Sequence, residues 1–194
     1  MVYKPDHVFL YHKTLEKNLE SIRRKGLIIE ESEPNILETV LEYWRTKFFP
    51  HKPSRLNSIF FTTTMATFFK YDMPFFGPDN MVLVFSFNRL EDLDKLELYE
   101  YNHRIIDYLW EAIKKIIKYD PFSLQKIELT EARIKSILAN LDWEGETPSL
   151  NAFWVSVRRI KYIGDRIIDP DIAVFSKSNI PSLYLDYKIK VSGL

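Results

Sequence analysis

The chain of 194 residues contains no cysteine. That excludes disulfides, thiolate metal sites and cysteine nucleophiles. Glycine is nearly as scarce, with five in the chain, and none of them builds a glycine-rich phosphate loop. Net charge is absent too: 27 basic side chains balance 27 acidic ones. Such balance gives no overall field to draw in nucleic acid or an anionic membrane. Local basic runs occur at Arg23-Arg24-Lys25, at Lys114-Lys115 with Lys118, and at Arg158-Arg159 with Lys161. Each flanks an apolar-periodic element and reads as a solvated face. No stretch reaches the ~18 unbroken apolar residues a membrane helix needs. The opening "MVYKPDHVFL" lacks the charged start and apolar run of a signal peptide. A soluble, cytoplasmic protein without membrane contact is expected. No two of the four histidines stand at helical metal-ligand spacing, so no metal site is expected. His7, His51 and His103 read as ordinary surface or loop histidines.

What is present is apolar: 46% hydrophobic and 15% aromatic residues, enough for one real core. "VFLY" at Val8–Tyr11 reads as a buried strand. Thr14 is placed to cap a helix whose Leu15, Leu19 and Ile22 share a face, and Gly26 to stop it. Ile36, Val40, Leu41 and Trp44 mark a second helix, entered at Pro34. "SIFFT" at Ser58–Thr62 reads as a strand, followed by a helical turn or two over Met65–Tyr71. "MVLVFSF" at Met81–Phe87 is apolar throughout and therefore expected to be central. Lys95–Tyr99 is a weaker strand. From Asn102 to Asn140 the period becomes helical, with one stripe through Ile105, Ile106, Leu109, Ile113 and Ile116. A second stripe runs through Leu124, Ile127, Ile134, Ile137, Leu138 and Leu141. "WEGETPS" reads as loop. Strands are expected at Ile160–Ile163, Ile172–Phe175 and Leu183–Val191. This order gives an α+β class, one domain over residues 1–194 with a helical insertion at about 102–141.

Three segments carry a resemblance. "LYHKTLEKNLESIRRKGL" runs strand, histidine, turn, helix and glycine. "RLNSIFFTTTMATFFKY" is a strand of aromatic and small hydroxyl residues leading into a short helix. "DPDIAVFSKSNIPSLYLDYKIKV" is an acidic residue, an apolar run, a turn and a last strand. Together, and in this order, they resemble the three motifs of the ADP-ribosyltransferase superfamily, which includes poly(ADP-ribose) polymerases and RNA 2′-phosphotransferases. The resemblance implies a split β-sheet core, with NAD as a substrate and no metal.

It also implies roles. His12 matches the motif histidine that fixes the ribose and nicotinamide half of NAD. Phe60 stands where polymerase-like members carry a tyrosine that stacks on nicotinamide, with Phe61 as the one-residue alternative. Thr62 and Thr63 match the small hydroxyl residues. Asp171 falls at the motif glutamate, with Asp165 and Asp169 as neighbouring alternatives. A carboxylate is needed there because positive charge grows on the ribose as the nicotinamide bond breaks. Arg55 is a candidate phosphate contact. Two positions depart from the pattern. Lys13 follows the histidine where glycine is usual, and Asp171 reaches ~1.5 Å less than glutamate, a scale at which catalysis is sensitive.

Each residue also has a plain structural role open to it. A histidine at a strand end is often satisfied by a backbone carbonyl, and at least one of Phe60 and Phe61 belongs in a core. Threonines before a helix cap it, Asp171 suits a turn, and Arg55 suits the flank of a loop. The expected activity is ADP-ribosyl transfer from NAD to a macromolecular acceptor, protein or nucleic acid. The alternatives are a binding module that keeps the fold without the chemistry, and an RNA 2′-phosphotransferase.

Overall fold

A computed structural model describes residues 7–31, 33–71, 77, 79–88, 92, 95–117, 130–141, 146–160 and 171–189. The chain forms two compact units. One comprises Met1–Glu30, Ser58–Glu100 and Arg158–Leu194, and the other Glu31–Asn57 and Tyr101–Val157.

The first unit is built on strands. In chain order they are β1 (His7–Leu15), β2 (Ile59–Thr62), β3 (Asn80–Asn88), β4 (Leu98–Asn102), β5 (Arg158–Arg159), β6 (Ile172–Ser176) and β7 (Leu185–Ile189). They line up as β5-β4-β6-β2-β1-β3-β7; the last two residues of β4 fall in the second unit. Every pair with a defined register is antiparallel. β1 follows β3 along its whole length, from His7↔Asn88 to Leu15↔Asn80. β1 and β2 share one ladder pair, Tyr11↔Thr62. Their pairing is thus the shortest in the sheet, which with the helical segments gives the mixed α and β architecture read from the sequence.

The period of two explains the core. Val8 and Leu10 face the same side as their partners Phe87 and Phe85, and all four are buried. α1 (Leu19–Lys25) adds Leu19 and Ile22 to this cluster. Gly26 ends the helix at φ 80°, in the left-handed region that glycine takes without strain. Leu27 and Ile180 then exchange two backbone hydrogen bonds of 2.8 Å. Arg23, Arg24 and Lys25 lie exposed in the last turn of α1, where cations complement the helix dipole. α3 (Met65–Tyr71) follows β2 directly.

Three local expectations change. Thr14 does not cap α1. It lies inside β1 opposite Met81, because pairing with β3 extends the strand to Leu15, and a 3₁₀ turn over Glu16–Asn18 precedes the helix. β3 is buried from Met81 to Phe87 but stands one strand from the edge. Continuous burial requires cover on both faces, which an off-centre strand can also have. His7 opens β1, with Nδ1 2.7 Å from Ser86 Oγ.

The second unit is helical: α2 (Ile36–Phe48), α4 (His103–Ile117), α5 (Glu131–Asn140) and α6 (Glu146–Ser156). α2 packs against the other three, and α4 against α5 and α6. The side chains of Asn35 and Thr130 cap α2 and α5. α6 departs from the sequence reading, in which "WEGETPS" is loop. Leu150, Phe153, Trp154 and Val157 are all buried and stand at i, i+3, i+4 and i+7, so a helical period is present. Trp154 Nε1 donates to the Leu41 carbonyl at 3.2 Å and Trp44 Nε1 to Asn151 at 3.0 Å. The expectations at Leu124, at Ile127 and over residues 161–163 and 190–191 lie outside the described residues. Among the described residues, no helix is long and apolar enough to cross a membrane, and no cluster of metal-ligating side chains occurs.

Candidate functional site

The strands bearing His12 and Phe60, and the one that follows Asp171, are neighbours, while the last strand of the third motif, β7, lies beyond β3. β2 lies between β1 and β6, pairing with β1 at Tyr11↔Thr62 and with β6 from Ile59↔Ser176 to Thr62↔Ala173. Segments far apart in the chain thus meet in three adjacent strands. The backbones of β1 and β6 run about 10 Å apart, two strand spacings.

His12 pairs with Leu83 and so shares the face of Leu10 and Phe85. Its ring centroid is 5.7 Å from that of Phe61, tilted by 57°. Its Nδ1 lies 3.0 Å from the Phe60 carbonyl oxygen. A carbonyl only accepts, so Nδ1 carries the hydrogen and Nε2 of the neutral ring is an acceptor. Nε2 bonds to none of the described residues. Burial lowers the His12 pKa from its ordinary value, against the opposing pull of the Phe60 bond. The imidazole is therefore neutral at pH 7.

Phe60 and Phe61 leave β2 on opposite sides. Phe61 is 2% exposed and meets Phe85 and Phe87 edge-on, at 5.8 and 6.4 Å. It is a core residue. Phe60 is 36% exposed, with its ring 6.3 Å from that of Phe175. Of the two, Phe60 keeps a ring face for a ligand, on the other side of the strand from Phe61.

The threonines divide their roles. Thr62 is 5% exposed, and its Oγ1 has no hydrogen-bond partner among the described residues. A buried hydroxyl left so costs about 1–3 kcal/mol. Thr63 Oγ1 instead donates to the Ile172 carbonyl at 2.7 Å. Thr64 Oγ1 accepts from Thr67 N at 2.9 Å and so caps α3. Tyr11, opposite Thr62, is half-buried, and burial raises its hydroxyl pKa. Asp171 is half-buried in the turn immediately before β6. Asp165 and Asp169 lie outside the described residues.

Arg55 belongs to the helical unit, and its charge is already engaged. Its Nη2 and Nε donate to the Glu38 carboxylate at 2.7 and 3.2 Å. Its guanidinium lies 4.3 Å from the Tyr101 ring centroid. Burial opposes the charge, but Glu38 and Tyr101 outweigh it and hold the Arg55 pKa above its ordinary value. The structure thus puts His12 and Phe61 on one face where β1 meets β2 and Phe60 and Thr62 on the other, while Thr63 bonds to the start of β6. Asp171 begins the strand on the far side of β2, and Arg55 lies within the helical unit. The Thr63–Ile172 bond is not readable from the sequence, since it joins residues 109 apart.

No family model matches the chain, and no curated protein matches it. The resemblance to the ADP-ribosyltransferase superfamily carried by the three motifs is accompanied by a likeness to solved structures. The chain is similar to Thermus sp. 2.9 DarT in complex with NAD+, at 14% identity and TM-score 0.37, over 96% of this chain and 83% of that one. It is also similar to Thermus sp. 2.9 DarT in complex with ADP-ribosylated ssDNA, at 15% identity and TM-score 0.42, over 97% of this chain and 83% of that one.

Proposed function

We propose that the chain cleaves the nicotinamide–ribose bond of NAD and transfers the ADP-ribosyl group to a macromolecular acceptor. One observation carries the reading. At the join of β1 and β2, burial lowers the His12 pKa while its Nδ1 is bonded to the Phe60 carbonyl, which leaves Nε2 as an acceptor two strand spacings from the strand that Asp171 leads. In this reading His12 Nε2 accepts a hydrogen bond from a ribose hydroxyl. Asp171 orients the ribose and stabilises the positive charge that develops at C1′. Nicotinamide leaves with the electron pair of the broken bond, and a nucleophilic atom of the acceptor bonds to C1′ and loses its proton. None of these steps calls for a metal.

The test has two parts. NAD should raise the melting temperature, and nicotinamide should be released when NAD is mixed with single-stranded DNA or protein acceptors. Asp171→Asn should lower turnover about 100-fold or more with the melting temperature of the apo-protein nearly unchanged. Absence of both the NAD response and nicotinamide release rejects the reading.

A second reading, a module that keeps the fold and lacks the chemistry, draws on the aromatic pair. The Phe ring that touches His12 is the buried one, Phe61, while Phe60 leaves on the other side of the strand. Under this reading NAD binds without turnover, or a partner binds in its place.

A further inference from the structure

The Thr63 hydroxyl sits at a joint held from both sides. Before it, Thr62 is locked in the β2 ladder opposite both Tyr11 and Ala173. After it, Thr64 caps α3, accepting from Thr67 N, while its carbonyl accepts from Phe68 N at 3.0 Å. Thr67 and Phe68 are fully buried. Thr63 itself is 5% exposed, so its side chain has little freedom to drift. The anchor is pre-organised by the strand, the cap and the packing of α3.

What it anchors is the start of β6. The ladder between β2 and β6 ends at Thr62↔Ala173. Thr63 Oγ1 continues the join one residue further by side chain, donating to the Ile172 carbonyl at 2.7 Å. The next residue toward the N-terminus is Asp171, in the turn. The Ile172–Ala173 peptide, one residue from the candidate carboxylate, is thereby held to β2 after the ladder has stopped.

We propose that Thr63 is a positioning residue for Asp171, acting through the Ile172 carbonyl rather than by touching the substrate. This rests on the functional reading above. An aspartate has one side-chain bond fewer than a glutamate with which to correct its reach, so its carboxylate follows the backbone closely. At a reacting centre, a displacement of about an ångström costs ~100-fold in rate. A hydroxyl that fixes the backbone at residue 172 is therefore a kinetic element, and its loss acts on turnover more than on substrate binding.

The experiment compares Thr63→Val, which keeps the shape and removes the hydroxyl, with Thr63→Ser, which keeps the hydroxyl and removes the methyl. NAD turnover is measured with crystal structures of all three proteins. The expected result is a fall in kcat of about 10–100-fold in Thr63→Val, with KM for NAD changed less than about threefold, and recovery of most of kcat in Thr63→Ser. Three outcomes overturn the proposal: unchanged kcat in Thr63→Val, equal impairment of both variants, or a loss confined to KM. If the wild-type protein does not turn over NAD, the functional reading fails by itself. The structures then decide the anchoring. A shift of Asp171 in Thr63→Val but not in Thr63→Ser upholds it, and an unmoved Asp171 overturns it.

Discussion

His12 Nδ1 lies 3.0 Å from the carbonyl oxygen of Phe60, beside the single ladder pair of β1 and β2. A side chain of one strand thus satisfies a backbone acceptor of the next where their ladder does not continue. That bond sets which ring nitrogen carries hydrogen and leaves the other as an acceptor. It also makes the protonation state of His12 part of the stability of the join.

A pH dependence follows. Burial lowers the His12 pKa below its unfolded value of about 6.5. Below that pH the unfolded chain takes up a proton that the folded chain resists, so ν_U exceeds ν_N and stability falls as pH falls. The stabilisation is complete above about pH 6.5 and is lost progressively down to the lowered folded pKa. Urea unfolding at pH 7 and pH 5 should show a larger loss for the wild type than for His12→Gln, which cannot titrate. Equal losses would remove His12 from the pH response.

The two phenylalanines of β2 should behave oppositely. Phe61→Ala empties a position packed edge-on against Phe85 and Phe87 and should cost about 3–5 kcal/mol. Phe60→Ala removes a partly exposed ring and should cost well under half of that, roughly 1 kcal/mol. The rise in melting temperature caused by NAD should survive in Phe60→Ala, because that ring leaves β2 on the face away from the Phe61 ring that meets His12. Loss of the NAD response there would place the nicotinamide on the Phe60 face instead.

The Arg55–Glu38 pair is buried, with side chains 6% and 16% exposed. Glu38→Gln leaves the guanidinium over Tyr101 without its counter-charge and should destabilise by about 3–5 kcal/mol. The double change Arg55→Met with Glu38→Leu should recover much of this, since neither charge then remains buried. Denaturant midpoints of the three proteins check the cycle. A double variant as weak as the single one would show that the pair contributes more than charge balance.

Gly26→Ala should be severe for two separate reasons. The residue sits at φ 80°, which costs a side chain about 1–3 kcal/mol, and a Cβ there would stand 2.1 Å from the Ile180 carbonyl oxygen. The bridge between Leu27 and Ile180 must then open. Chemical denaturation should show a loss of more than about 2 kcal/mol, and hydrogen exchange should show the Leu27 and Ile180 amides losing protection together. Retained protection would place the strain elsewhere.

Much of the fold is legible because its signals are local. Strand alternation in β1, the apolar faces of α1 and α2, and the stop at Gly26 each follow from periods of 2 or 3.6 and from one backbone conformation. α6 escapes a sequence reading although its period is there, because Pro148 and the polar residues before Leu150 resemble loop. Thr14 misleads because a capping residue and a strand residue look alike until a partner strand claims one of them. The threonine run shows the same limit more finely. Three identical side chains have three fates: one without a partner among the described residues, one tied to Ile172, one capping α3.

By itself, the sequence determined most of the strands and helices, which faces are apolar, and that one histidine, one hydroxyl-rich aromatic strand and one acidic turn resemble, in their order, the motifs of a known superfamily. Only the tertiary structure decided that β1, β2 and β6 are neighbours, that Phe61 rather than Phe60 enters the core, and that Arg55 is matched by Glu38. The physical reason is contact range. His12 meets Phe60 across 48 positions and Thr63 meets Ile172 across 109, and such bonds are set by strand pairing and burial, which no local period encodes.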